Sequence, residues 1–266
     1  MIFHVRSIGA IAQEILEQQQ GFYVHSIFEK GFNIVNDDQK LIFISSDENG
    51  TFPFGVTVDH QTKKQLLENI TVKQPIKVTA NAIFINNNCQ LVWRNQAVHA
   101  SSVELNSNSL LWSKLHENIT IYDFSEYNNG DFSYLKMQSI METLKQEDDK
   151  AVESSLRYLI GRGQGLTPSG DDILTGILFV HFINPFIFDR NLEVIQKLIQ
   201  EQLTTIVATA FLDSALKKLF SSKILVLQQQ PTVYHMNQLL EVGSSSGKDT
   251  LYGIFLATTL RSGAYE

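Results

Sequence analysis

The apolar residues of this 266-residue chain change their spacing part-way along it, and that change limits the fold more than any other feature. Between residues 22 and 103 they come in short β-branched and aromatic runs, at 22–28, 32–35, 41–44, 54–58, 76–79, 82–85 and 91–93, with Asn, Asp and Gly between them. Such runs predict strands joined by tight turns. From about residue 131 onward apolar residues recur every three or four positions, which predicts helices over 132–147, 149–160, 170–183, 190–207, 208–221, 232–242 and 247–262. Strands followed by helices make the α+β class. We therefore expect a β-rich, barrel- or sandwich-like domain over 1–130 and an all-helical domain over 131–266, with the boundary in the polar, turn-rich stretch 105–131. Ile8, Ile11, Ala12, Ile15 and Leu16 add a helix over 7–19, and 61–70 reads as a short helix across the strands.

Composition narrows the function classes. A net charge of −7 argues against a general nucleic-acid binder. With a single cysteine, Cys89, the chain has no internal disulfide framework and no cysteine metal cluster, which fits a reducing, cytoplasmic setting. The N-terminal residues lack the pattern of a secretory signal. The longest apolar stretch, 173–188, is broken by Thr175, Gly176, His181, Asn184 and Pro185, so it reads as a buried helix rather than a membrane span.

The chemistry concentrates in Gly161-Arg162-Gly163-Gln164-Gly165-Leu166-Thr167-Pro168-Ser169-Gly170-Asp171-Asp172. Closely spaced glycines let backbone approach a ligand. The helix that starts behind them offers N–H groups and a positive dipole end to an anion such as phosphate or carboxylate. No Gly-Lys-Ser/Thr follows, so this is not a nucleotide P-loop, and the spacing is wrong for a dinucleotide fingerprint. Thr167 or Ser169 can cap the helix, Pro168 suits its start, and Ser169 with Asp172 reads as a capping box. Asp171 is less well explained by capping and is a candidate to accept a proton, orient an amide or hold a metal.

The same segment has an echo. Ser169-Gly170-Asp171-Asp172-Ile173-Leu174-Thr175-Gly176-Ile177 and Ser246-Gly247-Lys248-Asp249-Thr250-Leu251-Tyr252-Gly253-Ile254 agree at six of nine positions, 77 residues apart. The plain reading is two similar helix caps. The sharper one is a pseudo-repeat in which two helix N-termini face one another and share one site. Gly176 and Gly253 would then allow close helix packing, and Lys248 would set a cation beside the carboxylates. Candidate catalytic residues are Asp171 and Asp172. Candidate anion contacts are Arg162, Gly163, Gly165, Thr167, Ser169, Gly170, Ser246, Gly247, Lys248 and Asp249. Thr204-Thr205 interrupts an apolar helical pattern, either bonding back to its own helix or lining the site. The seven histidines show no metal spacing, and His181 reads as a hydrogen-bonded core residue before it reads as a base.

The first motif, with Leu174 and Gly176, resembles the signature of a bacterial family long carried under a carboxylase label. That family includes the AllH-type subunit of oxamate carbamoyltransferase from anaerobic allantoin degradation. Gly243-Ser244-Ser245-Ser246-Gly247, Asp249, Leu251 and Gly253 are similar to its second motif. Val24-His25-Ser26-Ile27-Phe28 with Asn33-Ile34 is similar to its N-terminal part. The resemblance implies purine nitrogen catabolism: transfer of a carbamoyl group between oxalurate and phosphate, giving oxamate and carbamoyl phosphate, by a chain acting with other subunits on small anionic substrates. It fixes no residue roles. Mg²⁺ at Asp171 and Asp172 is a candidate cofactor, and no membrane or nucleic-acid partner is expected. The competing readings are a regulatory subunit that binds a small carboxylate or nucleotide without chemistry, and an ATP-dependent carboxylase-like enzyme. The absence of a nucleotide loop counts against the last.

Overall fold

The computed structural model describes residues 1–93, 98–99, 101–105 and 109–262. The turn expected over 106–108 lies outside them. The chain divides into two compact units, Met1–Ser101 with Phe220–Ser222, and Ser102–Leu219 with Lys223–Glu266.

The first unit holds β1 (Ile2–His4), β2 (Ser7–Gly9), α1 (Ala10–Glu17), β3 (Gly21–Phe28), β4 (Gly31–Asn36), β5 (Leu41–Ser46), β6 (Gly55–Val58), α2 (His60–Leu67), β7 (Pro75–Thr79), β8 (Ala82–Asn86), β9 (Cys89–Val92) and β10 (Val98–His99). All seven strand runs expected from the sequence form strands. They join one ten-stranded sheet in the order β1-β9-β8-β7-β3-β4-β5-β6-β2-β10. Only two residues separate β1 from β2, yet β1 pairs with β9 at one end of this order and β2 with β6 near the other. Between them the Val5 amide donates to Val92 O (3.0 Å) and the Arg6 amide to Thr57 O (2.7 Å). The sheet therefore curls until residues 2–9 bind both of its margins, which closes most of the exposed edge. Helix α1 buries Ile11, Ala12, Ile15 and Leu16, the stripe that its spacing predicts. The first residues of the helix expected over 7–19 are instead strand β2, because they complete this closure. The strand β3 carries a bulge between Val24 and Ser26, where its register with β4 shifts at His25.

The second unit is helical: α3 (Ser109–Ile119), α4 (Tyr134–Leu144), α5 (Asp149–Leu159), α6 (Ser169–Ile183), α7 (Asp189–Gln200), α8 (Ile206–Leu216), α9 (Ser222–Gln229), α10 (Val233–Leu240) and α11 (Ser246–Ser262). The change from strand to helix comes at residues 101–102 rather than near 130, and α3 falls in the stretch read as turns. The helix expected over 190–207 stops at Gln200, and Thr204 and Thr205 are not mid-helix. Thr205 is the N-cap of α8, accepting from the Ala208 amide at 3.0 Å, so the expected back-bonding does not occur. The centre of the unit is α6, buried from Gly170 to Ile183 because it is apolar on every face. Among the described residues no helix is long and apolar enough to cross a membrane.

Candidate functional site

The loop after α5 is shaped by what its glycines permit. Gly161 has φ +76°, and a Cβ there would lie 2.1 Å from Leu203 O, so both conformation and space demand glycine. The Gly170 amide donates to Arg162 O at 2.9 Å, and the amides of Asp171 and Asp172 to Pro168 O at 2.9 and 3.3 Å. The helix cap, Pro168, has no side-chain cap bond. The capping box expected from Ser169 and Asp172 is thus not what forms. Loop carbonyls take the first-turn amides, and the Asp172 carboxyl turns elsewhere.

It turns toward α11. Helices α6 and α11 cross through their glycines with reciprocal geometry. A Cβ on Gly176 would lie 2.2 Å from Thr250 O, and one on Gly253 would lie 2.1 Å from Ile173 O. Residue 250 is residue 173 plus the 77-residue offset, so the two contacts are the same contact seen from either helix. The pattern repeats at the helix starts, where a Cβ on Gly170 would meet Leu159 O at 2.0 Å and one on Gly247 would meet Leu239 O at 2.0 Å. The echo in the sequence is therefore a pseudo-twofold seam in space. Backbones approach closely only where no side chain intervenes, which explains why these two positions are glycine in both copies.

Three carboxyls sit at this seam, each almost wholly buried: Asp171 (2% exposed), Asp172 (4%) and Asp249 (2%). Asp171 is fully engaged. Its Oδ1 accepts from the Gly161 amide (3.0 Å) and its Oδ2 from the Thr204 hydroxyl (2.5 Å). Burial outweighs these bonds and pushes its pKa up to about 6. Asp172 and Asp249 occupy equivalent positions in the two copies. The hydroxyls of Ser246 and Thr167 hydrogen-bond the Asp172 carboxyl, so a side chain from the second helix reaches the acid of the first. Burial holds Asp172 well above the carboxylate range, with the like charges of Asp249 and Asp171 adding to the effect. Asp249 Oδ1 accepts from the Tyr127 hydroxyl at 2.6 Å. Burial and then this acceptor push the Tyr127 pKa up, so the phenol keeps its proton. One oxygen of each remaining acid, Asp172 Oδ2 and Asp249 Oδ2, is buried without a partner. Unsatisfied buried carboxyl oxygens are costly and uncommon, which makes this pair a candidate functional site.

Tyr127 belongs to a strap that the sequence did not reveal. Residues 123–132 run from the start of α11 to the end of α5 and the glycine loop. Glu126 pairs with Lys248 at 2.5 Å, and Asp131 pairs with Arg162 at 3.1 Å and accepts from the Tyr158 hydroxyl. The Phe132 carbonyl accepts from the Tyr252 hydroxyl at 3.0 Å. The Tyr127 ring stacks on Tyr252, with centroids 4.1 Å apart and planes 3° from parallel. Aromatic residues at 122, 124 and 127 inside a polar stretch were the available signal. Thr204, in the turn before α8, was a visible candidate, and its role on Asp171 is the line-the-site alternative.

The expected site residues divide accordingly. Asp171, Asp172, Thr167, Ser246 and Asp249 come together, and Gly170 and Gly247 are buried beneath them. Ser169 is half-buried at the start of α6, while Gly163 and Gly165 lie in exposed loop with φ +119° and +89°. Arg162 and Lys248 stand at the rim, each in an ion pair with a strap acid. The Arg162 guanidinium also lies 3.9 Å from the centre of the Tyr158 ring. His181 is a core residue, as its first reading had it. Its Nδ1 accepts from the amides of Phe186 and Ile187, both at 3.0 Å, and burial lowers its pKa to about 4. Burial pushes the Cys89 thiol up, away from a reactive thiolate. Among the described residues no three or more His, Cys, Asp or Glu side chains gather as a metal-ligand set.

Two family models match the chain. The AllH family N-terminal domain covers residues 4–107, and the oxamate carbamoyltransferase subunit AllH covers residues 159–258, which takes in both helix starts and their seam. No solved structure matches. The matched segments span most of both units, and on that ground the chain belongs to the AllH family, named for a subunit of oxamate carbamoyltransferase.

Proposed function

We propose that the chain works in a carbamoyltransferase that converts oxalurate and phosphate to oxamate and carbamoyl phosphate, or runs the reverse, and that its substrate site is the α6–α11 seam. The observation that carries this reading is Asp172, a buried acid with one unpartnered oxygen, set where two helix starts meet. In the forward direction a phosphate oxygen attacks the carbamoyl carbon, the bond from that carbon to nitrogen breaks, and the phosphate proton passes to the departing oxamate nitrogen. In reverse the oxamate nitrogen must give up that proton. An acid with a raised pKa suits a proton that moves both ways near neutrality. Asp172 is the better carrier of the two candidates, because Asp171 already has both oxygens engaged, by the Gly161 amide and the Thr204 hydroxyl.

The anionic end of the substrate falls to the rim. Arg162 offers a planar fork and Lys248 a point charge, and both are held now by exposed strap acids that an anion can displace. Gly163, Gly165, Thr167 and Ser169 follow Arg162 in the same loop and helix start, the glycines exposed and the hydroxyl residues half-buried. The other subunits implied by the family name would complete the site, in a cytoplasmic hetero-complex.

The test is phosphorolysis of oxalurate, followed as carbamoyl phosphate formed, by the chain alone and with its partner subunits. Activity in the complex that falls at least about a hundredfold in Asp172→Asn supports the reading. Wild-type activity in the variant would remove Asp172 from the chemistry, and no turnover in any combination would leave a binding subunit without chemistry.

A further inference from the structure

We infer that the unpartnered oxygens of Asp172 and Asp249 form a paired acceptor that takes the NH₂ group of a primary amide, and that Asp249 thereby makes the site select an amide over a carboxylate. The inference rests on the proposed function, in which Asp172 faces the oxamate nitrogen, and adds Asp249 as the residue that recognises the NH₂ group there.

Four observations support it. First, Asp172 and Asp249 are twofold-equivalent residues on the two crossing helices, so their carboxyls face a common seam. Second, the partners of the two acids are donors: Ser246 and Thr167 on Asp172, Tyr127 on Asp249. The positions left over, Asp172 Oδ2 and Asp249 Oδ2, are acceptors that need donors. Third, both acids are more than nine-tenths buried, and among the described residues no cation pairs with either of them, Lys248 and Arg162 being engaged by Glu126 and Asp131. A ligand that brought a carboxylate against these two oxygens would set acceptor against acceptor in a desolvated place and supply no donor to either. One that brought an NH₂ group would satisfy both oxygens at once, because its two N–H bonds diverge from one nitrogen. Fourth, the loops beside the two helix starts, residues 163–166 and 243–245, are exposed and rich in Gly and Ser, and Ser246 and Thr167, whose hydroxyls hydrogen-bond Asp172, are half-buried, so the acids lie just beneath the surface on that side.

This selectivity has a plain chemical use. Oxamate and oxalate have nearly the same shape and differ in one group, NH₂ against O⁻. A site that discriminates by shape alone cannot separate them, whereas buried acceptors can, because the wrong group leaves them both unsatisfied and repelled.

The test is calorimetric binding of oxamate, oxalate and N,N-dimethyloxamate to the purified full chain at constant ionic strength and pH 7.5, with Asp249→Asn as the variant. The variant keeps an oxygen for Tyr127 and presents its own NH₂ where Oδ2 stood, so it preserves packing while reversing the polarity of the contact. Thermal unfolding confirms that it is folded. The expected result is oxamate bound at least about tenfold more tightly than either analogue by the wild type, with the preference reduced to about twofold or less in Asp249→Asn. Equal binding of oxamate and oxalate by the wild type overturns the inference. So does a preference that survives in Asp249→Asn, or failure of oxamate to bind. Saturable Mg²⁺ binding that Asp249→Asn abolishes also overturns it, since the pair would then be a cation site. Turnover of oxalurate without this selectivity defeats the inference and leaves the proposed function standing. Selectivity without turnover does the reverse.

Discussion

A carboxyl buried for function should cost the fold stability, and Asp171 allows the cost to be worked out. Its pKa is raised from 3.8 to about 6 in the folded protein, chiefly by burial. Folding therefore favours the protonated form. The stability tied to this group is fully present below the unfolded value of 3.8 and is lost as pH rises through 6. A shift of about two units corresponds to about 3 kcal/mol when the group is fully ionised. Linkage puts the penalty at about 3 kcal/mol at pH 7.5 and about 1 kcal/mol at pH 4.5. Asp171→Asn removes the charge and keeps the shape. The amide oxygen can still accept from Gly161, and the Thr204 hydroxyl can rotate to accept from the new NH₂ group. Urea unfolding followed by far-UV circular dichroism should then show the variant more stable by up to about 3 kcal/mol at pH 7.5 and by about 1 kcal/mol at pH 4.5. A variant less stable than wild type at pH 7.5 would refute the reasoning, because the two hydrogen bonds would then outweigh desolvation. A gain of equal size at both pH values would refute it as well, since no titration would lie behind it.

Other residues give sharper local tests. Gly176→Ala forces a methyl to within 2.2 Å of Thr250 O; despite a helix-propensity gain of about 1 kcal/mol, thermal unfolding should show a net loss of about 2 kcal/mol or more as the helices separate. His181 has its pKa lowered to about 4, so its contribution is fully present above about 6.5 and is lost as pH falls toward 4; His181→Asn, with Oδ1 in place of Nδ1, should remove that part of the acid sensitivity in urea titrations. Tyr127→Phe strips Asp249 of its donor, and a buried acceptor left unsatisfied should lower stability by about 1–3 kcal/mol at pH 7.5.

The strands could be read from the sequence because each is a short β-branched run bracketed by turn residues, and that information is local. β1, β2 and β10 could not, since each is two or three residues long and exists by pairing with partners distant in sequence. Helix α3 was hidden by the Asn/Ser cluster before it, and α9 by the Gln-rich residues that end it. In the site, Asp171, Asp172 and Asp249 were visible from motif and echo alike. The unlike fates of the first two were not, because Thr204 and Gly161 reach Asp171 from outside its own segment. Tyr127 was missed for the same reason: the aromatic residues at 122, 124 and 127 marked the stretch but not its partner, and only the fold carries Tyr127 across to Asp249.

The two copies of the motif differ in ways that follow from what each position touches. Of the six positions they share, Ser169/Ser246, Gly170/Gly247, Asp172/Asp249 and Gly176/Gly253 lie at the helix starts and the seam, and Leu174/Leu251 and Ile177/Ile254 are buried apolar residues. Of the three positions that differ, Ile173/Thr250 meet the seam glycines alike through their carbonyls, and the other two face unlike surroundings. Asp171 bonds Thr204 and Gly161 where Lys248 pairs with Glu126, and Thr175 bonds back to Asp171 O where Tyr252 stacks on Tyr127 and reaches Phe132 O. A seam with strict twofold symmetry would offer a ligand two equivalent orientations. A substrate with an amide at one end and an acid at the other must be held in one. The departures from symmetry, an engaged carboxyl on one side and a cation under a strap on the other, are what remove the equivalence. On the proposed reading, then, the shared residues would make the site and the unshared ones would give it direction.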